Sequence, residues 1–415
     1  MQNAHTARVR RARALRRASA ALLGAASISL AVAGCVDPST GPDPDATLRP
    51  VTHNVGGVAA TAVPRWAAIA RGLVIKNRPS PPAAFRQFAY LSVAQYAAVV
   101  AAERDWGHPR PSVEGAVAGA SAAVLAHLFP GDAQAVEDSV RAGEPDAPGD
   151  LRRFAAGEAL GREVAAAVVA RAAGDGFNLV FTGTIPTGSG LWFSSATPPA
   201  APQLPRLGEM RPFFLSSGSQ LRPPPPPAFG SPAFLAALAE IRDIAATRTA
   251  EQTRIAQFWA LPAGTVLPAG YWNQTALEII ARKQLGERRA ARVLALMHAA
   301  MIDAVITTHQ AKYTYWYIRP TQADPTITLA IGLPNHPSYP SNHSSASSAA
   351  GAVLGAFFPS ERERLDAMVE EASLSRMYGG LHYRFDVEAG HDIGSAAARI
   401  ALRRGRGNGL LEVAR

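Results

Sequence analysis

The chain has 415 residues, 48% of them hydrophobic and 18% charged, with 41 basic against 32 acidic side chains and a formal net charge of +9. Six of the arginines lie in residues 1–35, which hold no acidic residue, so the remainder carries only about +3, and binding to nucleic acid loses its main electrostatic support. The single cysteine, Cys35, excludes a disulfide within one chain and with it a disulfide-stapled scaffold.

The arginines between Arg8 and Arg17, followed by the apolar, small-residue stretch from Ala18 to Gly34, read as a targeting segment. That stretch ends Val32-Ala33-Gly34-Cys35, which resembles the lipobox of bacterial lipoproteins. The resemblance implies a signal peptide over 1–35, lipidation of Cys35, and an exported lipoprotein anchored to a membrane outside the cytoplasm. Residues 36–60, rich in Pro, Asp, Thr and Gly, suit a flexible tether. No later stretch offers eighteen uninterrupted apolar residues, since even Val293 to Ile306 is broken by His298 and Asp303, so the rest is expected to fold in water.

Beyond the tether, apolar residues recur at helical spacing, which predicts an all-α protein. An N-terminal helical region is expected over 61–185. Its helices run from Ser80, an N-cap ahead of Pro81-Pro82, to about Arg104, then Val113 to Leu128, Ala133 to Arg141, and Leu151 to Ala173, the last stopped by Gly174-Asp175-Gly176. Twelve prolines fall in 186–232, including Pro223 to Pro227, and no helical period survives there. Trp192, Phe193, Phe213 and Phe214 are unsuited to a solvated linker, so this stretch is expected to wrap over the helices at the mouth of a site.

A C-terminal helical catalytic region is expected over 233–415. Its helices run from Ser231 to Ala246, Glu251 to Ala260, Trp272 to Leu285, Glu287 to about Tyr317, and Asn342 to Phe358. Another is opened by Ser360 with Glu363 three residues on, the spacing of a capping box.

Three segments between 312 and 386 carry the chemistry. The first, Lys312-Tyr-Thr-Tyr-Trp-Tyr-Ile-Arg319-Pro320, sets two cations seven residues apart, on one face if the helix continues that far, with Pro320 marking its end. The second, Pro340-Ser341-Asn342-His343, stands at the entrance of an apolar helix, where free N–H groups and the helix dipole favour an anion. The third, Ser375-Arg376-Met-Tyr-Gly-Gly-Leu-His382-Tyr-Arg-Phe-Asp386, breaks a helix at Gly379-Gly380 and sets a histidine four residues before a carboxylate that can orient it. Each segment alone also fits a solvated face or a plain helix cap. Three cations, two histidines and a helix entrance together suit an oxyanion.

These segments resemble the three-part signature of the type 2 phosphatidic acid phosphatase and vanadium-dependent haloperoxidase superfamily: Lys-x6-Arg-Pro, Pro-Ser-Gly-His and Ser-Arg-x5-His-x3-Asp, in this order. Every position is matched except one, where Asn342 stands in place of glycine. Gln252 to Trp259, Ala291 to Tyr317 and Arg211-Pro212-Phe213 extend the likeness to the soluble, all-helical haloperoxidase-like members. The resemblance implies helical bundles of the vanadium haloperoxidase type carrying a long proline-rich loop.

It also implies roles. Lys312, Arg319 and Arg376 clamp a vanadate or phosphate, with Ser341 and the Asn342 N–H adding hydrogen bonds. His382 bonds to vanadium or phosphorus, Asp386 orients it, and His343 serves as acid and base. Asparagine tolerates a left-handed backbone, so an intact but modified cradle is expected at Asn342. His336 stands where bromoperoxidases carry a histidine, which favours bromide or iodide over chloride.

Two chemistries share such a pocket, because vanadate resembles the transition state of phosphoryl transfer. With vanadate as cofactor the substrates are hydrogen peroxide and halide. Without it, a phosphoester is hydrolysed through a phosphohistidine. Binding of an oxyanion without turnover is a third possibility. Related soluble members are often homodimers. Haem, iron, flavin and nucleotide receive no support, for the chain has no CxxCH, no HExxH and no glycine-rich phosphate loop after a strand.

Overall fold

The structure, a computed structural model, describes residues 60–414; Cys35, the rest of the signal segment and the tether up to residue 59 lie outside the described residues. Fourteen α-helices and no strand are present among the described residues. The first, α1 (Ala62–Asn77), was not anticipated, although Val63, Trp66, Ala70, Leu73 and Val74 recur at helical spacing and are buried. It ends where Arg78 turns left-handed, at φ 50°. Then come α2 (Pro81–Arg104), α3 (Val113–Leu128), α4 (Ala133–Arg141) and α5 (Pro148–Ala173). Ser112 caps α3, its hydroxyl accepting from the Gly115 N–H at 3.0 Å.

The second half comprises α6 (Pro232–Thr247), α7 (Ala250–Ala260), α8 (Leu267–Arg282), α9 (Glu287–Tyr315), α10 (Pro320–Ala323), α11 (Asn342–Phe357), α12 (Arg362–Tyr378), α13 (Arg384–Arg404) and α14 (Gly409–Glu412). Helix α8 begins five residues ahead of the expected Trp272, because Leu267, Pro268 and Ala269 are already buried against the bundle. The expected capping box at Ser360 does not form: Pro359–Glu361 is a 3-10 turn, and α12 starts behind it without a side-chain cap. A true box opens α7, where Thr249 and Gln252 exchange hydrogen bonds of 2.9 and 3.1 Å.

Helix α9 is the axis of the molecule. By length and composition it could cross a membrane, yet it is almost wholly buried between α2, α8, α11 and α13, and a helix apolar on every side belongs in such a core. Its two polar interruptions both have partners, although His298 Nδ1 is left without one. His298 stacks on Phe88 with ring centroids 5.1 Å apart and lies 3.0 Å from the Asn273 amide. Asp303 accepts the backbone N–H groups of Phe213, Phe214 and Leu215 at 2.7, 2.7 and 3.1 Å.

Those last bonds fasten the proline-rich stretch to the core, and a row of tyrosines continues the fastening. Tyr315, Tyr339 and Tyr317 donate their hydroxyls to the carbonyls of Pro223, Pro224 and Pro227 at 2.7, 2.8 and 2.6 Å. Upstream, the Trp192 N–H donates to Trp316 O at 2.6 Å and the Ile318 N–H to Gly190 O at 3.0 Å. A chain with few backbone donors of its own is thus held through its carbonyls as well as through the N–H groups of Trp192 and Phe213 to Leu215, over the segment that carries Lys312 and Arg319.

Helices α11 and α13 approach closely enough to bring their N-terminal ends together. A Cβ on Gly394 would stand 2.1 Å from Ser345 O, and one on Gly390 2.6 Å from Ser341 O. The absence of a side chain at these two positions therefore sets the distance between the second and third motifs.

Candidate functional site

Lys312 occupies the last turn of α9, which ends at Tyr315 as Trp316 adopts a left-handed conformation. The helix does not continue to Arg319, so the two cations do not share a helical face. The turn at Trp316 instead sends the chain into an extended segment, and Arg319 meets the site from the N-cap of α10. Fully buried, the Lys312 ammonium donates to Pro337 O at 2.8 Å and Ser338 O at 2.7 Å, tying the loop ahead of α11 to α9. Burial and the neighbouring Arg319 pull its pKa well below the ordinary lysine value, while Asp386 holds it up.

The Arg319 guanidinium is the hub. Its Nε donates to His336 O at 3.0 Å, Nη1 to Leu381 O at 2.9 Å and to His382 Nε2 at 3.0 Å, and Nη2 to His336 Nδ1 at 3.0 Å. A guanidinium has only donors, so His382 Nε2 is an acceptor and that ring is neutral, while His336 Nδ1 also lies 3.1 Å from Pro337 O. Burial lowers the pKa of Arg319 to about 10, which leaves it charged at neutral pH.

The same logic fixes the tautomer of His382. With Nε2 accepting from Arg319, the proton lies on Nδ1 and is donated to Asp386 Oδ2 at 2.8 Å. His382 precedes α13 rather than lying in a helical turn. The chain reverses at Gly380, whose φ of 77° suits glycine, and α13 begins at Arg384. Asp386 stands in the first turn of α13, where Oδ2 also accepts the Tyr383 N–H at 3.2 Å and the Ser338 hydroxyl at 2.5 Å. Burial raises the Asp386 pKa to about 6, against the lowering pull of Ser338, Lys312 and Arg319.

Arg376, in the last turn of α12, is 3% exposed, and its Nε and Nη1 are buried without a hydrogen-bond partner. Burial lowers the pKa of both His343 and His382, and the Arg376 charge lowers them further. Burial lowers its own pKa to about 9. Lys312 and Arg319 both act on the one carboxylate, and buried N–H donors left unpaired, as on Arg376, cost about 1–3 kcal/mol each unless an acceptor meets them. A tetrahedral oxyanion has the charge and the acceptors that this donor set lacks, so vanadate or phosphate fits the residues present.

Ser341 is the N-cap of α11, with its hydroxyl 3.4 Å from the Ser344 N–H and its own N–H donating to Asp386 O at 2.9 Å. The second and third motifs are therefore joined through the backbone. Asn342 opens the helix with ordinary dihedrals, and the left-handed conformation considered for it is not used. Its Nδ2 lies 3.1 Å from His309 Nε2. The imidazole of His343 lies 2.9 Å from Trp259 O through Nε2; a carbonyl only accepts, so Nε2 carries the proton and Nδ1 the lone pair.

Lys312, Arg319, Ser341, Arg376, His382, Asp386 and His336 are thus buried, while Asn342 and His343 are half-buried. Sequence reasoning missed Ser338, Trp259 and His309. Ser338 lies within the same proline-punctuated loop, and His309 is one helical turn before Lys312, so both were within reach of spacing arguments. Trp259 is far away in the chain and gave no local signal.

The fold is shared with vanadium-dependent haloperoxidases, and the site holds donors that suit an oxyanion. Residues 292–409, which hold all three motifs, match the model of the PAP2 superfamily. The crystal structure of a bacterial vanadium-dependent iodoperoxidase is similar at a TM-score of 0.73 and 24% identity, over 85% of this chain and 98% of that one. The apo and holo forms of a bacterial vanadium-dependent chloroperoxidase are similar at TM-scores of 0.64 and 0.65, each at 14% identity, over 80% and 86% of this chain and 94% and 99% of theirs. No curated protein matches the chain in sequence.

Proposed function

We propose that this protein is a vanadate-dependent haloperoxidase that oxidises bromide or iodide with hydrogen peroxide. The observation that carries the reading is the pairing of a neutral His382, its Nδ1–H on Asp386 and its Nε2 lone pair directed at the Arg319 guanidinium, with the unpaired Arg376 guanidinium. Lys312, Arg319 and Arg376 would hold the vanadate oxygens, the first-turn N–H groups of α11 would add donors, and His382 Nε2 would be the ligand. Bound vanadate supplies an electrophilic centre that activates peroxide toward attack by halide. His343 takes up or returns a proton at Nδ1, and its depressed pKa keeps it an acceptor at neutral pH. His336, buried and bonded to Arg319, supports the preference for bromide or iodide that the family resemblance suggests.

The purified protein, incubated with vanadate, is expected to brominate or iodinate a dye in the presence of peroxide, and His382→Ala to abolish the reaction. Hydrolysis of a phosphomonoester, inhibited by vanadate and without halide oxidation, would overturn this reading in favour of a phosphatase working through a phosphohistidine at His382. Absence of both activities, with anion binding retained, would leave an oxyanion-binding protein.

The export reading rests on Val32-Ala33-Gly34-Cys35 and the arginines before it. We propose a lipoprotein anchored through Cys35 outside the cytoplasm. Metabolic labelling with a fatty acid should mark the wild type and not Cys35→Ala. A homodimer, suggested by the soluble relatives, would appear as a doubled mass in light scattering.

A further inference from the structure

A second group of arginines stands away from the three motifs. Arg171 lies in the last turn of α5, Arg404 ends α13, and Arg211 opens the strap 211–216 that both of the others touch. The strap is fixed from behind, where the N–H groups of Phe213, Phe214 and Leu215 are all given to Asp303 on α9. Its carbonyls are left to the arginines. Arg171 Nη2 donates to Pro212 O at 2.6 Å and Arg404 Nη1 to Phe214 O, while the Arg171 guanidinium lies 4.8 Å from the centre of the Phe213 ring.

These bonds hold two guanidiniums in place around a common space. It is a cavity of about 330 Å³, lined by Arg171, Arg211 and Arg404 and by one acid, Glu412 of α14. Among the described residues none of these four side chains forms a salt bridge. Arg171 is 6% exposed, and its Nε is buried without a partner. Burial lowers its pKa, and the charge of Arg211 adds to the lowering while that of Asp303 opposes it. Counting Asp303 and Glu412 against the three arginines still leaves a net positive charge. Fastening the strap accounts for Arg171 and Arg404 only, since the Arg211 side chain bonds to nothing among the described residues.

We propose that this cavity is a second anion site, and that it takes a phosphate dianion, free or carried on a small organic molecule. The exposed guanidiniums of Arg211 and Arg404 would meet the phosphate oxygens, with the buried charge of Arg171 behind them. A dianion is favoured because it must outweigh the repulsion of Glu412. The volume falls at the lower end of the range of about 300–1,000 Å³ for small-molecule sites, which leaves room for an organic group beside the ion. The site does not depend on the oxyanion cluster. No lining residue belongs to the three motifs, and Asp303 precedes Lys312 by about 13 Å of helix.

The test is calorimetric titration of the purified protein with inorganic phosphate and with glycerol phosphate at neutral pH. Arg211→Ala combined with Arg404→Ala should weaken one phosphate site by about a hundredfold, roughly tenfold for each charge-assisted bond lost. Glu412→Gln removes the opposing acid and should tighten the same site by about threefold, a gain that a damaged fold would not produce. Arg376→Ala should retain this site, whatever becomes of the oxyanion cluster. Tighter binding of glycerol phosphate than of phosphate assigns an ester to the cavity, and the reverse order assigns the free ion. Identical phosphate isotherms for the wild type and the double variant overturn the proposal, as does an unchanged affinity in Glu412→Gln or the loss of all phosphate binding in Arg376→Ala.

Discussion

His382 and Asp386 face each other across the entrance of α13, with Nδ1 donating to Oδ2 at 2.8 Å, and the same carboxylate oxygen also receives the Ser338 hydroxyl and the Tyr383 N–H. One carboxylate therefore orients the nucleophilic or ligating imidazole, ends the proline-punctuated loop and caps a helix. Because burial raises the Asp386 pKa to about 6, the folded protein holds a proton that the unfolded chain, with an ordinary aspartate near 4, gives up. Stability from this group is present below the unfolded pKa and lost as pH rises through the folded one. The melting temperature of the anion-free wild type should fall between about pH 4 and 6 relative to Asp386→Asn, by the equivalent of roughly 2–3 kcal/mol. Parallel melting curves for the two proteins across that window would show the carboxyl to be unshifted.

Ser338→Ala removes the hydroxyl that Asp386 Oδ2 accepts at 2.5 Å. The hydroxyl lowers the carboxyl pKa, so its loss should raise it further and move the acid limb of the pH–rate profile upward. Turnover should drop by about tenfold, the effect of one buried hydrogen bond to a charged group. A profile unchanged in position would mean that Ser338 only fills space.

Arg376 offers a cleaner measure of anion binding, because its Nε and Nη1 have no other partner to lose. Arg376→Lys keeps a charge but not the planar fork, and Arg376→Ala keeps neither. Phosphate affinity should fall by roughly tenfold in the first and about a hundredfold in the second, with little change in melting temperature of the anion-free protein. Calorimetry supplies the affinities. A strong loss of fold in Arg376→Ala would instead make this arginine structural.

Gly394→Ala sets a Cβ 2.1 Å from Ser345 O, between α11 and α13. The helices must separate, at a cost of about 1–3 kcal/mol in denaturant unfolding. Since these two helices carry the second and third motifs, activity per folded molecule should fall as well. Unchanged stability would show that the helix pair can shift freely at this crossing.

Tyr317→Phe and Tyr339→Phe each remove a hydroxyl bonded to a carbonyl of the proline-rich stretch, at 2.6 and 2.8 Å. Each change should cost about 1 kcal/mol, and the pair together should expose residues 186–232 to limited proteolysis well before the helices are cut. Cleavage distributed evenly over the chain would argue that the stretch is held by other contacts.

Local signals in the sequence settled a good deal. Helical spacing determined the all-α class and most helix positions, because one face of each helix must be apolar wherever it packs. Internal motif spacing determined which cations, histidines and carboxylate belong together, because backbone geometry limits how far neighbours in the chain can part. Helix α1 shows that even a legible period can be passed over beside a tether.

Tertiary structure decided what depends on groups distant in the chain. It alone shows that α9 stops at Tyr315, so that Arg319 reaches the site through a turn and not along a helix face. It shows the proline-rich stretch held by tyrosine hydroxyls and by Asp303, and His343 bonded to Trp259. The tautomer of His382 likewise depends on Arg319, 63 residues earlier in the chain. Above all it turns Asn342 from an irregular motif letter into a carboxamide held by His309. A hydrogen bond is set by distance and angle in space, and spacing along the chain carries that information only between neighbours.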